Sequence, residues 1–155
     1  QRSQRRQRDA RPWMVALLDI DLFKLVNDTH GHAVGDLVLQ AFANTARETV
    51  RGTDMLARWG GEEFLLLMYD TQPSAAQPVL ERVRQAVQEC TVAVHGQQVR
   101  VTVSIGVAAH TSGTSVAQLL DQADQALYLA KSQGRNRVVE AGLAPKAVQP
   151  EVAAF

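Results

Sequence analysis

Apolar and polar positions along the chain fall into blocks that predict strands separated by helices. A continuous apolar run from Trp13 to Asp19 ends in acidic residues, which predicts a buried strand. Apolar residues then recur at helical spacing over about 34–50, and Gly52 follows as a stop signal. The intervening stretch 21–35 is polar and punctuated by glycine, so it predicts mostly loop with a helical turn.

The middle of the chain predicts a hairpin, a helix and a second strand pair. Two apolar segments, 55–59 and 63–69, flank Gly60-Gly61, which is a strong β-hairpin signal. A helix opens at Pro73 and Ser74. Valines alternate with polar residues over 99–108, which predicts a single strand, and residues 91–94 should pair with its beginning through a turn at His95-Gly96.

The last part predicts a helix and a short strand. Ser115 is a candidate N-cap, Gly134 ends the helix, and 137–140 reads as a strand. The expected apolar face of this helix consists of Val116, Leu119, Leu120, Ala123, Leu127 and Ala130. The order β-α-β-β-α-β-α-β predicts an α/β fold with a mixed central sheet surrounded by helices.

Three segments follow from this pattern. We expect a remnant of an N-terminal helix or linker over 1–12, one domain over 13–141, and a disordered Ala/Pro-rich tail over 142–155. The length of 155 residues and the 46% hydrophobic content suit a single core. Because the chain begins with Gln1, we expect a fragment from which an upstream sensor is missing.

Composition narrows the function classes. The formal net charge is +0, and the N-terminal arginines read as a solvated helix end, so we expect no nucleic-acid partner. A single cysteine, Cys90, excludes an internal disulfide and suits a reducing compartment. No apolar run approaches the roughly 18 residues of a membrane span. These features predict a cytoplasmic domain, although the full-length protein could carry a membrane anchor.

Two acidic clusters are candidates for chemistry. Glycines at Gly60-Gly61 let backbone approach a ligand closely, and the adjacent Glu62 and Glu63 favour either a counter-cation or outward divergence. The alternative is a plain turn with solvated glutamates. Asp19-Ile20-Asp21 follows a buried strand, where α/β folds place ligands, and its oxygen ligands suit magnesium. The alternative is a pair of acids that cap the next turn.

The stretch 23–36 adds polar side chains. Lys24 could contact phosphate, and Asn27 and Asp36 offer the amide and carboxylate groups that read a guanine edge. The histidines His30 and His32 are too few for a transition-metal site.

Two basic residues, Lys131 and Arg135, flank Gly134 at the end of the last helix. They could complement the helix dipole or clamp a triphosphate.

Four blocks together carry a family resemblance. In the order of the chain they are DIDLFKLVNDTHGHAVGD at 19–36, RWGGEEF at 58–64, VTVSIGV at 101–107 and ALYLAKSQGRNRV at 126–138. The chain resembles the GGDEF family of diguanylate cyclases over about residues 13–140, with the GGEEF variant of the signature. The resemblance implies a fold related to adenylyl cyclases and polymerase palms.

The same resemblance implies an activity and a ligand set. Two GTP molecules condense into cyclic di-GMP and two pyrophosphates, with two Mg²⁺ per active site or Mn²⁺ in their place. Asp19, the Ile20 carbonyl, Glu62 and Glu63 are implied metal ligands. Glu62, Glu63 and Lys24 are the implied catalytic residues, with Glu62 as the proton acceptor and Lys24 as the residue that stabilises phosphate charge. The implied substrate-binding residues are Phe23, Asn27, His32, Asp36, Gly60, Gly61, Lys131 and Arg135.

The resemblance also implies a dimer and a second site. Each domain would hold one GTP, so catalysis would need a homodimer. Arg51 and Asp54 form an RxxD motif before the signature, and with Arg82 they would bind cyclic di-GMP as an inhibitor. Outside the family context, RxxD reads as a surface ion pair.

Departures from the family leave an alternative open. The family's DxLTxLxNRR stretch, about thirty residues before the first strand, is absent, and Leu22 and His30 stand where aromatic residues are frequent. The alternative function is a catalytically silent module that binds GTP or cyclic di-GMP. A cyclase that also uses ATP is a further possibility. Retention of the signature acids and Lys24 favours the enzyme, and Asp36 favours guanine.

Overall fold

The computed structural model describes residues 11–142. These residues form seven strands and four helices: β1 (Met14–Ile20), α1 (Phe23–His30), α2 (His32–Thr49), β2 (Met55–Gly60), β3 (Glu63–Met68), α3 (Pro73–Glu89), β4 (Val92–Val94), β5 (Gln97–Val99), β6 (Val103–Ala109), α4 (Val116–Ser132) and β7 (Val138–Glu140). The remnant helix predicted over 1–12 and the tail predicted over 142–155 lie almost entirely outside the described residues.

The central sheet has five strands in the order β2-β3-β1-β6-β7. β1 runs antiparallel to β3 and β6, whereas β6 and β7 are parallel, so the predicted mixed sheet is confirmed. All seven residues of β1 are buried, as a strand covered on both faces requires. β4 and β5 form a separate two-stranded hairpin.

Helices cover the two faces of this sheet unequally. Alternate residues of β1, such as Leu18, face a large core shared with α1, α2 and α3, while Val15 and Leu17 face α4. Helix α4 lies very close to β6, because a Cβ on Gly106 would be 2.2 Å from the Leu127 nitrogen. This close packing fixes the C-terminal turn of α4 beside the end of β1.

One predicted loop is wrong. Within residues 21–35, helix α1 takes up 23–30 and α2 begins at His32, because Phe23 and Val26 recur at helical spacing and bury their side chains. Gly31, at φ 91°, separates the two helices, and its N–H donates to the Asn27 carbonyl at 2.8 Å. Among the polar residues that suggested a loop, Lys24, Asp28 and Thr29 lie on the exposed side of α1.

The single strand predicted over 99–108 is also wrong. Its first part belongs to β5, which pairs with β4 as expected, and its second part is β6. The ladder breaks at 100–102 because the Thr102 carbonyl accepts from the Asp21 N–H at 2.9 Å.

Helix α4 confirms its predicted start but not its whole predicted face. Ser115 and Gln118 form a reciprocal capping box, so the N-cap is confirmed. Leu119, Ala123 and Leu127 are buried, whereas Val116 is 62% exposed at the edge of an open apolar cleft that Trp13 and Tyr69 also line. None of the helices within 11–142 is long and apolar enough to span a bilayer.

Candidate active site

Strand pairing brings the predicted acids together at one end of the sheet. Asp19 on β1 lies opposite Glu63 on β3 in the antiparallel ladder. The Ile20 N–H donates to the Glu62 carbonyl at 3.3 Å, which holds the β2–β3 turn against the end of β1. Gly61 has φ 49°, a conformation that glycine adopts without strain. Asp19 and the adjacent pair Glu62 and Glu63, more than forty positions away in the chain, are therefore neighbours.

The electrostatics of this cluster favour added positive charge. Burial raises the pKa of Asp19. A hydrogen bond and ion pair from the Lys131 ammonium oppose this rise, whereas the charges of Glu62 and Asp21 add to it. Burial also raises the pKa of Glu63, with Asp19 as the next cause. Like charges opposite each other in a ladder are destabilising, so a bound cation would relieve the repulsion.

The donor set suits magnesium but is not a preformed cage. No group of three or more His, Cys, Asp or Glu side chains within residues 11–142 converges closely enough to hold a metal ion. Magnesium usually takes one or two protein carboxylates and completes its coordination with water and phosphate oxygens. Carboxylates of Asp19, Glu62 and Glu63 therefore fit the ion together with a phosphorylated ligand.

Asp21 is committed to hydrogen bonds within the protein. Its carboxylate accepts from Thr102 Oγ1 at 2.7 Å, Ser104 Oγ at 2.6 Å and the Asn136 backbone N–H at 3.0 Å. Asp21 is buried, so these bonds compensate its lost hydration. Sequence reasoning missed the three donors, although they lie within blocks that carry the family resemblance.

Asn27 and Asp36 are brought to the same part of the α1–α2 pair. The Asn27 amide lies directly over Gly35, since a Cβ on that glycine would be 1.9 Å from Asn27 Oδ1. Asn27 Oδ1 is buried and has no hydrogen-bond partner among the described residues. Asp36, the next residue after Gly35, is exposed. An orphaned acceptor beside an open carboxylate is suited to a ligand that donates hydrogen bonds.

The other residues predicted to bind substrate differ in their exposure to solvent. Lys24, His32 and Arg135 are exposed, and Gly60 is exposed at the hairpin turn. Phe23 is instead 8% exposed and packs in the core beneath Gly35. Its ring and the Asn27 amide thus both lie against Gly35, and its predicted contact with substrate stays a prediction.

Arg51 and Asp54 of the RxxD motif form an ion pair with each other. Arg51 Nη2 lies 3.0 Å from Asp54 Oδ1, and Arg51 Nε lies 3.2 Å from Asp54 Oδ2. Arg51 also donates to the buried hydroxyl of Thr71. Arg82 is exposed on α3, and none of the hydrogen bonds of Arg51 within 11–142 reaches it.

Fold and site together define a class, a mixed α/β domain whose acidic hairpin turn lies against the end of its central strand. Residues 1–137 match the family described as "Diguanylate cyclase, GGDEF domain". The chain therefore belongs to the GGDEF family.

Named relatives are similar along most of this chain. Diguanylate cyclase A of Treponema denticola is 43% identical over 125 residues, which is 80% of this chain and 34% of the relative. Diguanylate cyclase DgcM of Escherichia coli K12 is 44% identical over 132 residues, or 85% of this chain and 32% of the relative. The chain thus spans about a third of the length of these curated relatives.

Solved structures agree with the fold. Diguanylate cyclase SiaD of Pseudomonas aeruginosa, in complex with its activator SiaC, gives a TM-score of 0.85 at 45% identity, covering 89% of this chain and 53% of that one. The GGDEF domain of Caulobacter crescentus DgcB, in complex with c-di-GMP, gives 0.82 at 33% identity, covering 89% and 82%. An active GGEEF domain from Vibrio cholerae gives 0.80 at 32% identity, covering 90% and 88%.

Proposed function

We propose that this domain is a diguanylate cyclase that joins two GTP molecules into cyclic di-GMP. The observation that carries the proposal is the pairing of Asp19 with Glu63 beside Glu62 at a Gly-Gly turn. This acidic edge costs stability and is explained by a cationic ligand. Relatives named diguanylate cyclases at 43–44% identity support the reaction.

The residues would divide the chemistry as follows. Asp19, Glu62 and Glu63, with the Ile20 carbonyl, would hold two Mg²⁺, or Mn²⁺, which when bound help activate a hydroxyl and stabilise leaving pyrophosphate. The 3′-hydroxyl of one GTP attacks the α-phosphorus of the other, the α–β phosphoanhydride bond breaks and pyrophosphate leaves. Glu62 accepts the hydroxyl proton. A second attack closes the ring and releases the second pyrophosphate.

Substrate recognition would use the two helices after β1 and the end of α4. Asn27 Oδ1 can accept from the guanine amine, and the Asp36 carboxylate can accept from guanine N1–H, a donor that adenine lacks. His32 lies at the start of α2, near Asp36, and could contact the same nucleotide.

Phosphate recognition would use basic side chains from separate elements. Lys24 from α1 and Lys131 from α4 would contact phosphates as point charges, and Arg135 could make a bidentate contact. The backbone of Gly60 and Gly61 leaves room for the triphosphate at the turn. Catalysis of this kind rests mainly on positioning and charge stabilisation.

Two further parts of the proposal concern assembly and control. Because each domain would bind one GTP, turnover requires two copies face to face. Arg51, Asp54 and Arg82 would form an inhibitory product site. Cyclic di-GMP would then compete with Asp54 and Thr71 for the Arg51 guanidinium.

A variant series tests the activity. The chain is incubated with GTP and Mg²⁺, and nucleotides are separated by chromatography. We expect Glu62→Gln to lower cyclic di-GMP formation by at least about a hundredfold, because the proton acceptor and a metal ligand are lost. Glu48→Gln, at an exposed position on α2, is the matched control and should retain activity. Equal activity in both variants would contradict the assigned role of Glu62.

A further inference from the structure

The turn that carries Arg135 has an unusual backbone. Gly134, Arg135 and Asn136 have φ of 122°, 64° and 49°, so three consecutive residues have positive φ. Such values are readily adopted by glycine but are strained for arginine. The turn directly follows α4, the helix that places Lys131 beside Asp19. The Arg135 N–H donates to the Ala130 carbonyl of the same helix end at 2.9 Å, so Asn136 is the residue of the turn that still needs an anchor.

Asn136 supplies the first anchor. Its backbone N–H donates to Asp21 Oδ2 at 3.0 Å, and Asp21 is itself fixed by Thr102 and Ser104. This bond joins the turn to the loop that follows the central strand β1. The position of Arg135 is thereby tied to the segment that bears Asp19.

Helix α3 supplies the second anchor. Arg84 Nη1 donates to Asn136 Oδ1 at 3.0 Å, and the Asn136 amide donates to Gln88 Oε1 at 3.0 Å. The Arg84 guanidinium is oriented by Glu81, at 3.0 Å from Nη2. Arg84 and Gln88, one turn apart on α3, thus both hydrogen-bond to the side chain of Asn136, about fifty positions away.

We infer that Arg84 and Asn136 are positioning residues for the triphosphate. They hold the strained turn so that the Arg135 guanidinium faces the same ligand as Lys131 and the acidic edge. This inference rests on the proposed function, because it takes Arg135 as a phosphate contact. Neither Arg84 nor Asn136 needs to touch the nucleotide itself.

A paired binding measurement tests the inference. The full 155-residue chain is titrated calorimetrically, at fixed Mg²⁺, with α,β-methylene GTP, which keeps three phosphates but resists cleavage, and separately with GMP. We expect Arg84→Met to weaken binding of the triphosphate about fivefold and binding of GMP by less than about twofold. GMP lacks the β- and γ-phosphates, so it has no contact there for a misaligned Arg135 to lose. Arg84→Lys should restore most of the loss, and Arg47→Met, at an exposed position of α2, should change neither affinity.

Asn136→Gly provides a second variant that tolerates the positive φ and keeps the backbone donor to Asp21. It should resemble Arg84→Met, and the double variant should be no weaker than the weaker single one, because both changes break the same link. Equal weakening of both ligands, or unchanged triphosphate binding in folded variants, would overturn the inference. If the unaltered chain bound neither nucleotide, the proposed function itself would fail, and the inference with it.

Discussion

Two side chains of the site, those of Asn27 and Glu63, lower the stability of the fold. Asn27 Oδ1 is a buried acceptor with no partner among the described residues, and Glu63 lies opposite Asp19 in the ladder. An unsatisfied buried acceptor and a like-charge cross-strand pair each destabilise a fold. Such groups are expected where a fold gives up stability for ligand binding, which agrees with the proposed site.

Replacing one of these charges should stabilise the protein in the absence of ligand. Burial and Asp19 raise the pKa of Glu63, so the folded chain holds its proton more tightly than the unfolded chain does. Its contribution is therefore favourable at acid pH and is lost as the pH rises through the raised pKa. At pH 7, Glu63→Gln should raise the melting temperature by about 1–3 °C.

Scanning calorimetry across pH checks this expectation. The gain should shrink as the pH falls towards about 4, where the native glutamate is itself protonated. A variant that melts at the same temperature as the original chain at pH 7, or below it, would contradict the assigned repulsion.

Replacing Asn27 should weaken ligand binding without weakening the fold. Asn27→Ala removes an acceptor that has no partner among the described residues, so the free energy of unfolding should stay unchanged or rise by up to about 1 kcal/mol. Affinity for α,β-methylene GTP should fall about tenfold, because a hydrogen bond to the base is lost. Asn44→Ala, at an exposed position of α2, is the control. A large loss of stability with unchanged affinity would make Asn27 structural.

Sequence patterns identified the acidic residues of the site but not the long-range hydrogen bonds around them. Asp19, Glu62 and Glu63 stand in short motifs, so spacing alone made them candidates. The bonds from Thr102 and Ser104 to Asp21 span 81 and 83 positions, and the link from Arg84 to Asn136 spans 52. Local periodicity carries no information about partners so distant in the chain.

At the scale of elements, the contact between α4 and β6 positions Lys131. Gly106→Ala would place a methyl group within 2.3 Å of the Ala123 carbonyl oxygen and of the Leu127 nitrogen. Both are backbone atoms that cannot yield separately. We expect a loss of about 1–3 kcal/mol or more in the free energy of unfolding, measured by urea denaturation.

Gly52→Ala is the matched control for this prediction. A Cβ at Gly52 meets no atom within 4 Å, and the residue lacks a positive φ, so the change should stay within about 0.5 kcal/mol. Similar losses in the two variants would mean that the close helix–strand packing does not limit stability.

Elements with strong local signals were predictable from the sequence. The Gly-Gly hairpin and the capped helix α4 are confirmed because turn chemistry and the N-cap are decided within a few residues. Residues 21–35 were misread because their polar positions concealed two buried side chains, Phe23 and Val26. The valine pattern over 99–108 concealed a break, because only tertiary contact with Asp21 pulls Thr102 out of the ladder.

At the scale of the whole molecule, the proposal depends on two copies. A single domain would bind one GTP, so the initial rate should rise more steeply than linearly with protein concentration while dimers are scarce. The rate is measured by pyrophosphate release at saturating GTP over a range of protein concentrations. A rate strictly proportional to protein across a range in which sedimentation shows only monomer would contradict the two-domain mechanism.

The most direct measurement of the central claim is the product formed from GTP. The chain, stripped of bound nucleotide and fused to a dimerising coiled coil, is incubated with GTP and Mg²⁺, and its products are separated by chromatography and weighed by mass spectrometry. We predict cyclic di-GMP with two pyrophosphates released per molecule. GTP binding without any cyclic di-GMP from this fused dimer would contradict the enzyme and leave a nucleotide-binding module.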